Sequence, residues 1–163
     1  MPPPTDDEVR AALDHLAITR LQSAYGDAVT RRAWDELDDM FVRGCPVRLD
    51  LRGGSVVETT GPAEIAAFIA AAVERFDFFA FTIVNTVVEV DPAGDAATGR
   101  LYIRELRHER EGGRWSTAYG LYRDAYRRDG GRWRFAARDY ASLARTAAGG
   151  AGMDVFDVPG RMG

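Results

Sequence analysis

Two histidines, six tyrosines, one cysteine and no lysine set the chemistry open to this chain. His108, in Arg107-His108-Glu109, is the first candidate for catalysis. An imidazole titrates close to neutral pH, so it takes or gives a proton with little perturbation. The same residue also fits a half-exposed histidine at a strand end among charges. Tyr122, in Gly120-Leu-Tyr-Arg-Asp124, is the second candidate. Its phenol can donate a hydrogen bond to a carbonyl or a developing oxyanion, although packing is the commoner role of an aromatic strand residue. Arg138, if turned inward, would suit a carboxylate, enolate or phosphate. His15, beside Asp14 at the edge of a helical apolar stripe, reads as a surface residue. Asp124 and Asp139 read as surface partners of nearby arginines, and Asp50 and Glu89 as surface residues.

All 21 basic residues are arginine. A lysine Schiff base, a pyridoxal phosphate attachment and a P-loop lysine are therefore excluded. His15, His108 and Cys45 share no metal-ligand spacing, so a metal site is not expected. One cysteine excludes an internal disulfide and fits a reducing cytoplasm. The net charge of −4 shows no dominant basic patch, which argues against nucleic acid as a partner. The longest apolar run, around Ile65 to Val73, is too short to span a bilayer. The start of the chain lacks the basic and apolar regions of a secretory signal. A cytoplasmic location and no membrane partner are expected.

These residues need elements to hold them. At 163 residues the chain reads as one domain, 1–163, with a flexible start over 1–7 and a Gly-rich tail over 146–163 that could lie over a pocket. Thr5-Asp-Asp-Glu8 is a capping box. Leu13, Leu16, Ala17, Leu21, Ala24, Tyr25 and Ala28 recur at helical spacing, so a first helix runs to about Arg31. A short helix follows from Arg32 to near Phe41. Val47 to Leu51 and Ser55 to Thr59 alternate as a hairpin. Gly61-Pro62 opens another helix to about Phe76. Four strands close the chain: Phe81 to Val90, Thr98 to Arg110, Arg114 to Arg128, and Arg132 to about Ser142. Asp129-Gly130-Gly131 joins the last two, because Asp-Gly and Gly-Gly supply the positive φ of a hairpin turn. The order predicts an α+β fold, a curved antiparallel sheet wrapped around N-terminal helices to form a cone-shaped pocket. On the last strand Trp133, Phe135 and Ala137 form the more apolar face. Either a bulge reverses the register beyond them or Arg138 points outward.

This order resembles the nuclear transport factor 2-like superfamily, and within it the SnoaL-like branch that includes scytalone dehydratase. The resemblance is carried by Ile18 to Tyr25, Trp34-Asp-Glu-Leu37 with Phe41, Val84-Asn85 with Val88, Gly120-x-Tyr122-x-Asp124, and Gly131-Arg-Trp133-Arg-Phe135, over about residues 10 to 142. It implies the cone and says less about the reaction. The family's dehydratases act through residues inside the cone. One family histidine matches His108. The aspartate paired with it falls on Thr30 and the preceding tyrosine on Val29. Another tyrosine falls on Leu51, and a second histidine on Phe81. A serine and an asparagine fall on Gly120 and Tyr122. Most of the dehydratase constellation is therefore missing. Arg138 and Tyr140 occupy positions that line the pocket in relatives.

The resemblance then implies a cofactor-independent lyase, isomerase or cyclase acting on a hydrophobic small molecule, polyketide-like or another secondary metabolite. His108 is its acid/base and Tyr122 polarises a carbonyl. Tyr25, Leu51, Phe81 and Leu106 shape the pocket, with space left by Gly120. Thr30 and Asn85 orient the substrate, Arg138 and Tyr140 line the wall, and Phe156 closes the mouth. Substrate templating by a polyketide-type cyclase is a variant of the same reading. The alternative is a non-catalytic small-molecule-binding or protein-interaction domain of the same fold. A homodimer is expected through the exposed sheet face, with Leu101, Ile103 and Leu121 supplying apolar surface.

Overall fold

The computed structural model describes residues 3–159. The first helix, α1 (Asp6–Arg31), starts at Thr5, whose hydroxyl accepts from the Glu8 amide while the Glu8 carboxylate accepts from the Thr5 amide. This reciprocal cap satisfies two amides that the helix start would otherwise leave unpaired. Arg32 ends the helix in the left-handed region. A 3-10 helix, Trp34–Met40, leads to β1 (Pro46–Asp50) and β2 (Val57–Thr60). Then come α2 (Gly61–Val73), β3 (Phe76–Val90), β4 (Ala96–Glu109), β5 (Trp115–Asp129), β6 (Arg132–Thr146) and β7 (Met153–Val155). The fold is α+β: helices cover one face of a curved sheet ordered β2-β1-β6-β5-β4-β3, with β7 on β6. The β1–β6 pairing is parallel and the other strand pairings are antiparallel.

Gly130 and Gly131 form the loop between β5 and β6 with φ of 57° and 79°. Positive φ at both central residues gives the turn whose twist matches the strands it joins. Several boundaries differ from the sequence expectation, among them β6, which runs to Thr146 rather than about Ser142, and the tail, which forms β7. Helix α2 stops at Val73 rather than near Phe76, and β3 begins at Phe76 rather than Phe81. Phe76, Phe79 and Phe81 are buried from this extended segment, where aromatic side chains pack well on a pleated surface.

The core lies between the helices and the inner sheet face. Helix α1 buries Ile18, Gln22, Tyr25, Ala28 and Val29, a narrower stripe than its composition predicts. Leu13 and Leu16 are exposed, and Asp14 is buried beside the exposed His15. Asp14 accepts from Trp133 Nε1 at 3.1 Å and from Arg128. Burial opposes its charge, but these donors win and hold the carboxyl below its ordinary value. Its contribution to stability is therefore present above the unfolded value near 3.8 and lost as pH falls through the lower folded value. Asp14→Asn is expected to lower stability at pH 7 and to flatten the acid limb of the stability profile, read by thermal melts from pH 7 to pH 2 (about 0.5–3 kcal/mol at neutrality).

Leu101 and Ile103 are fully buried against the helices, so they are core residues rather than the dimer surface expected from the sequence. Leu121, on the opposite sheet face, is also buried. No described helix is long and apolar enough to cross a membrane.

Candidate active site

Two β-bulges on β6 decide what enters the space between helices and sheet. Trp133 and Phe135 face the core. The pairing then jumps from Tyr126↔Phe135 to Ala125↔Ala137, leaving Ala136 as an extra residue. A bulge inserts one residue and so reverses the alternation beyond it. Arg138, Tyr140 and Ser142 consequently turn inward. A second jump, from Gly120↔Ser142 to Tyr119↔Ala144, reverses the alternation again at Leu143. Arg145 then also faces the inner space.

That space is a cone of about 230 Å³. Helix α1 lines it with Tyr25 and Val29, and α2 with Ile65, Phe68, Ile69, Ala72 and Val73. The sheet adds Leu49, Leu51, Phe76, Phe79, Phe81, Glu105, Arg107, Ala118, Tyr122, Tyr140, Ser142 and Arg145. The deep wall is aromatic: the Tyr25 ring lies 5.6 Å from Phe81 and 6.4 Å from Tyr122, and Tyr122 lies 4.8 Å from Tyr140. Burial pushes all three phenols above their ordinary value. For Tyr122, Tyr25 adds to burial and the Arg138 charge opposes it. At neutral pH all three are protonated and can donate. Glu105 is the one carboxylate on the cone wall among the described residues. Arg107 grips its Oε2 through Nε at 3.0 Å and through Nη2, and Oε1 has no hydrogen bond among the described residues.

Behind the phenols lies a buried polar network. Arg138 donates to Asp124 through Nε at 2.8 Å and Nη2 at 3.1 Å, and both side chains are essentially inaccessible. Tyr126 donates to Asp124 at 3.0 Å, Gln22 donates to Tyr126 at 2.8 Å, and Thr86 donates to Gln22 at 2.9 Å. The guanidinium carbon sits 3.9 Å from the Tyr122 ring centre, 4.1 Å from Phe135 and 4.3 Å from Tyr25. Burial works against the Arg138 charge, but Asp124 outweighs it and holds the guanidinium above its ordinary value. Each aromatic face adds attraction to a desolvated cation.

The structure brings five of the expected site residues to the cone wall: Tyr25, Leu51, Phe81, Tyr122 and Tyr140. It places the others elsewhere. Ile103, Glu105 and Arg107 face inward, so period-two alternation puts Leu106 and His108 on the outer face. His108 Nδ1 lies 2.6 Å from Asp77 Oδ1, and its ring is 4.7 Å from Trp115. The hydrogen bond from His108 lowers the Asp77 carboxyl below its ordinary value. His108 therefore has a carboxylate partner, but outside the cone.

Thr30 accepts from the Phe81 amide at 3.0 Å, tying the end of α1 to β3 rather than meeting a substrate. Asn85 is exposed beside a bulge in β3. Gly120 is covered by the Tyr140 ring rather than open to the cone. Arg138 is inward but sealed behind Tyr25 and Tyr122. Asp124, expected in a surface pair, is its buried partner. Phe156 does not line the cone but packs 5.3 Å from the Arg145 guanidinium, while its amide donates to Leu143. Residues 160–163 of the tail lie outside the described residues.

Sequence reasoning passed over Glu105, Arg107, Ser142 and Arg145. A signal for the first two existed in Leu101-x-Ile103-x-Glu105-x-Arg107, whose apolar members mark the inward parity of β4. No signal marked the bulge that turns Arg145 inward.

A larger groove of about 700 Å³ lies on the outer face, over the row Arg100-Arg123-Asp139-Arg48-Glu58. It is open, and Asp139 pairs with both Arg48 and Arg123. Such solvated surface ion pairs contribute little to stability. The cone has the apolar wall and few convergent polar groups of a small-molecule site.

The SnoaL-like domain family model matches residues 10–139. Solved structures share the fold. A candidate scytalone dehydratase from Novosphingobium aromaticivorans superposes with a TM-score of 0.76 at 18% identity, covering 94% of this chain and 98% of that one. LinA superposes at 0.73 with 22% identity, covering 94% and 99%. A hexachlorocyclohexane dehydrochlorinase, LinA-type3, from Novosphingobium barchaimii superposes at 0.72 with 21% identity, covering 93% and 99%. No curated protein matches the chain.

Proposed function

The chain belongs to the SnoaL-like domain family, and from that premise we propose a cofactor-independent enzyme of lyase, isomerase or cyclase type that moves a proton on a hydrophobic small molecule held in the cone. The observation that carries this reading is the cone wall itself, apolar except for three protonated phenols, one serine, and the charged groups Glu105, Arg107, Arg75 and Arg145. Polyketide-like compounds and other secondary metabolites are the substrate class of this proposal.

Glu105 Oε1 takes a proton from a carbon next to a carbonyl. The electron pair moves onto the carbonyl oxygen, where Tyr122 or Tyr140 donates a hydrogen bond to the developing oxyanion. Collapse of that enolate either expels a leaving group from the next carbon or takes the proton back at a new position. Arg107 holds Glu105 in place through Oε2 and leaves the other oxygen free. His108, on the outer sheet face, has no part in this scheme.

The test is carbon-acid exchange in D2O, followed by NMR over a panel of aryl and alicyclic ketones. Glu105→Gln is expected to slow exchange by about 10²–10⁴-fold. An unchanged rate would remove Glu105 from the mechanism. The absence of a histidine from the cone wall favours a second reading, a binding module of the same fold. That reading expects ketone binding with no exchange above buffer in either protein.

A further inference from the structure

The mouth of the cone carries more positive charge than the wall can neutralise. Arg75, Arg107 and Arg145 all line it, against Glu105 as the carboxylate. Arg107 is matched by Glu105. Arg145 donates through Nη1 to the Leu51 carbonyl at 2.9 Å and through Nη2 to the Arg52 carbonyl at 3.4 Å; its other N–H groups have no hydrogen bond, and it meets no carboxylate within ion-pair distance, among the described residues. Arg75 lies over the Phe76 ring at 4.8 Å and is likewise without an ion pair among them. Two cations without an ion pair among the described residues thus line one small cavity in a chain whose net charge is −4, although Arg75 also helps lower the Glu109 carboxyl.

Their position along the cone is also defined. Tyr25, Tyr122 and Tyr140 are almost wholly buried at the deep end, whereas Arg75 and Leu51 are exposed at the other. Arg107 and Arg145 sit close enough to act on the Tyr140 phenol, pulling it down against burial and the Glu105 charge. Ser142, buried on the same wall, adds a hydroxyl to the cone.

We propose that the cone takes an anionic amphiphile: a flat apolar body that enters among Val29, Phe79 and Phe81, ending in a carboxylate that meets Arg145, with Arg75 beside it at the mouth. The inference rests on the cone being a small-molecule site, and it names the charge of what enters. A charge-assisted contact between guanidinium and carboxylate is stronger than a neutral one, and the half-buried mouth screens it less than open water would. The apolar depth selects the body while the mouth selects the charge. A cationic ligand of the same shape would meet repulsion there.

The experiment is calorimetric titration with trans-cinnamate, methyl cinnamate and cinnamylamine at low ionic strength. Cinnamate is expected to bind at least about tenfold more tightly than its methyl ester, and cinnamylamine most weakly. The preference should shrink as salt is raised. Arg145→Met is expected to abolish the preference while leaving the ester's affinity within about twofold, since the ester needs only the apolar wall. If that variant fails to fold by circular dichroism, Arg75→Gln should still reduce the preference. Equal binding of acid and ester by the wild-type protein overturns the anionic assignment alone and leaves the cone as a neutral-ligand site. Binding of neither overturns both the assignment and the reading of the cone as a small-molecule site. A preference unchanged in both folded variants overturns the roles of Arg145 and Arg75.

Discussion

Asp124→Ala is expected to destabilise the fold by about 3–5 kcal/mol, because it strands a buried cation. Arg138 has essentially no accessible side-chain surface, and Asp124 supplies its ionic contact. Nη1 of Arg138 is already buried without a hydrogen bond, so no spare protein acceptor stands ready to replace the carboxylate. Truncation also leaves the Tyr126 phenol without its acceptor. The guanidinium must then draw water into the core or expel itself through the Tyr25–Tyr122 wall. For a chain of this size the loss corresponds to a drop of roughly 6–20 °C in melting temperature. The pairing hypothesis makes a second demand. Arg138→Met combined with Asp124→Leu should recover much of what the single change loses, because removing both charges removes the uncompensated one. Thermal melts of Asp124→Leu, Arg138→Met and the double give the coupling energy. A single Asp124→Ala that melts within a degree or two of wild type would overturn the assignment.

Gly120→Ala is the second large effect, and its origin is steric. A Cβ built on Gly120 would overlap the Tyr140 ring and lie 2.5 Å from its phenol oxygen. Contact that close cannot persist, so Tyr140 must leave its place against Tyr122 or the strand must shift. Overpacking of this kind costs about 1–3 kcal/mol. The displaced ring also swings into the cone, so ligand affinity should fall along with stability. Tyr140→Leu in the Gly120→Ala background should restore stability, since the smaller side chain vacates the clashing position. Gly120→Ala with unaltered stability and ligand affinity would show that Tyr140 does not need the bare backbone beneath it. The role of Gly120 is thus to seat a wall residue, whereas the sequence reading had assigned it open space for substrate.

These two effects mark where sequence reasoning reached and where it stopped. The α+β order, the capping box at Thr5–Glu8, the turn at Gly130–Gly131 and the aromatic character of the cone are all legible in one dimension. Each depends on neighbours in the chain: a hydroxyl three residues before a carboxylate, two glycines able to take positive φ, or apolar residues at a fixed period. Tyr25 follows from the same helical period, while Phe81 and Tyr122 come from the family resemblance, and all three stand on the cone wall.

The face on which a β6 side chain stands is another kind of fact. It depends on counting residues through Ala136 and Leu143, and a bulge is the outcome of how a strand bends over its neighbours rather than of the bulged residue's type. One slip reverses every later side chain. That count hid Arg145 and left the facing of Arg138 open. On β4 the choice of inward parity decided between His108 and Glu105, and it was settled by Leu101 and Ile103 packing beneath the helices. By itself, the sequence determined the container, its protonatable residue types and the absence of lysine chemistry. Tertiary structure alone decided which ionisable groups the container holds, because strand register and bulge position are set by packing across the sheet and not by any residue in isolation.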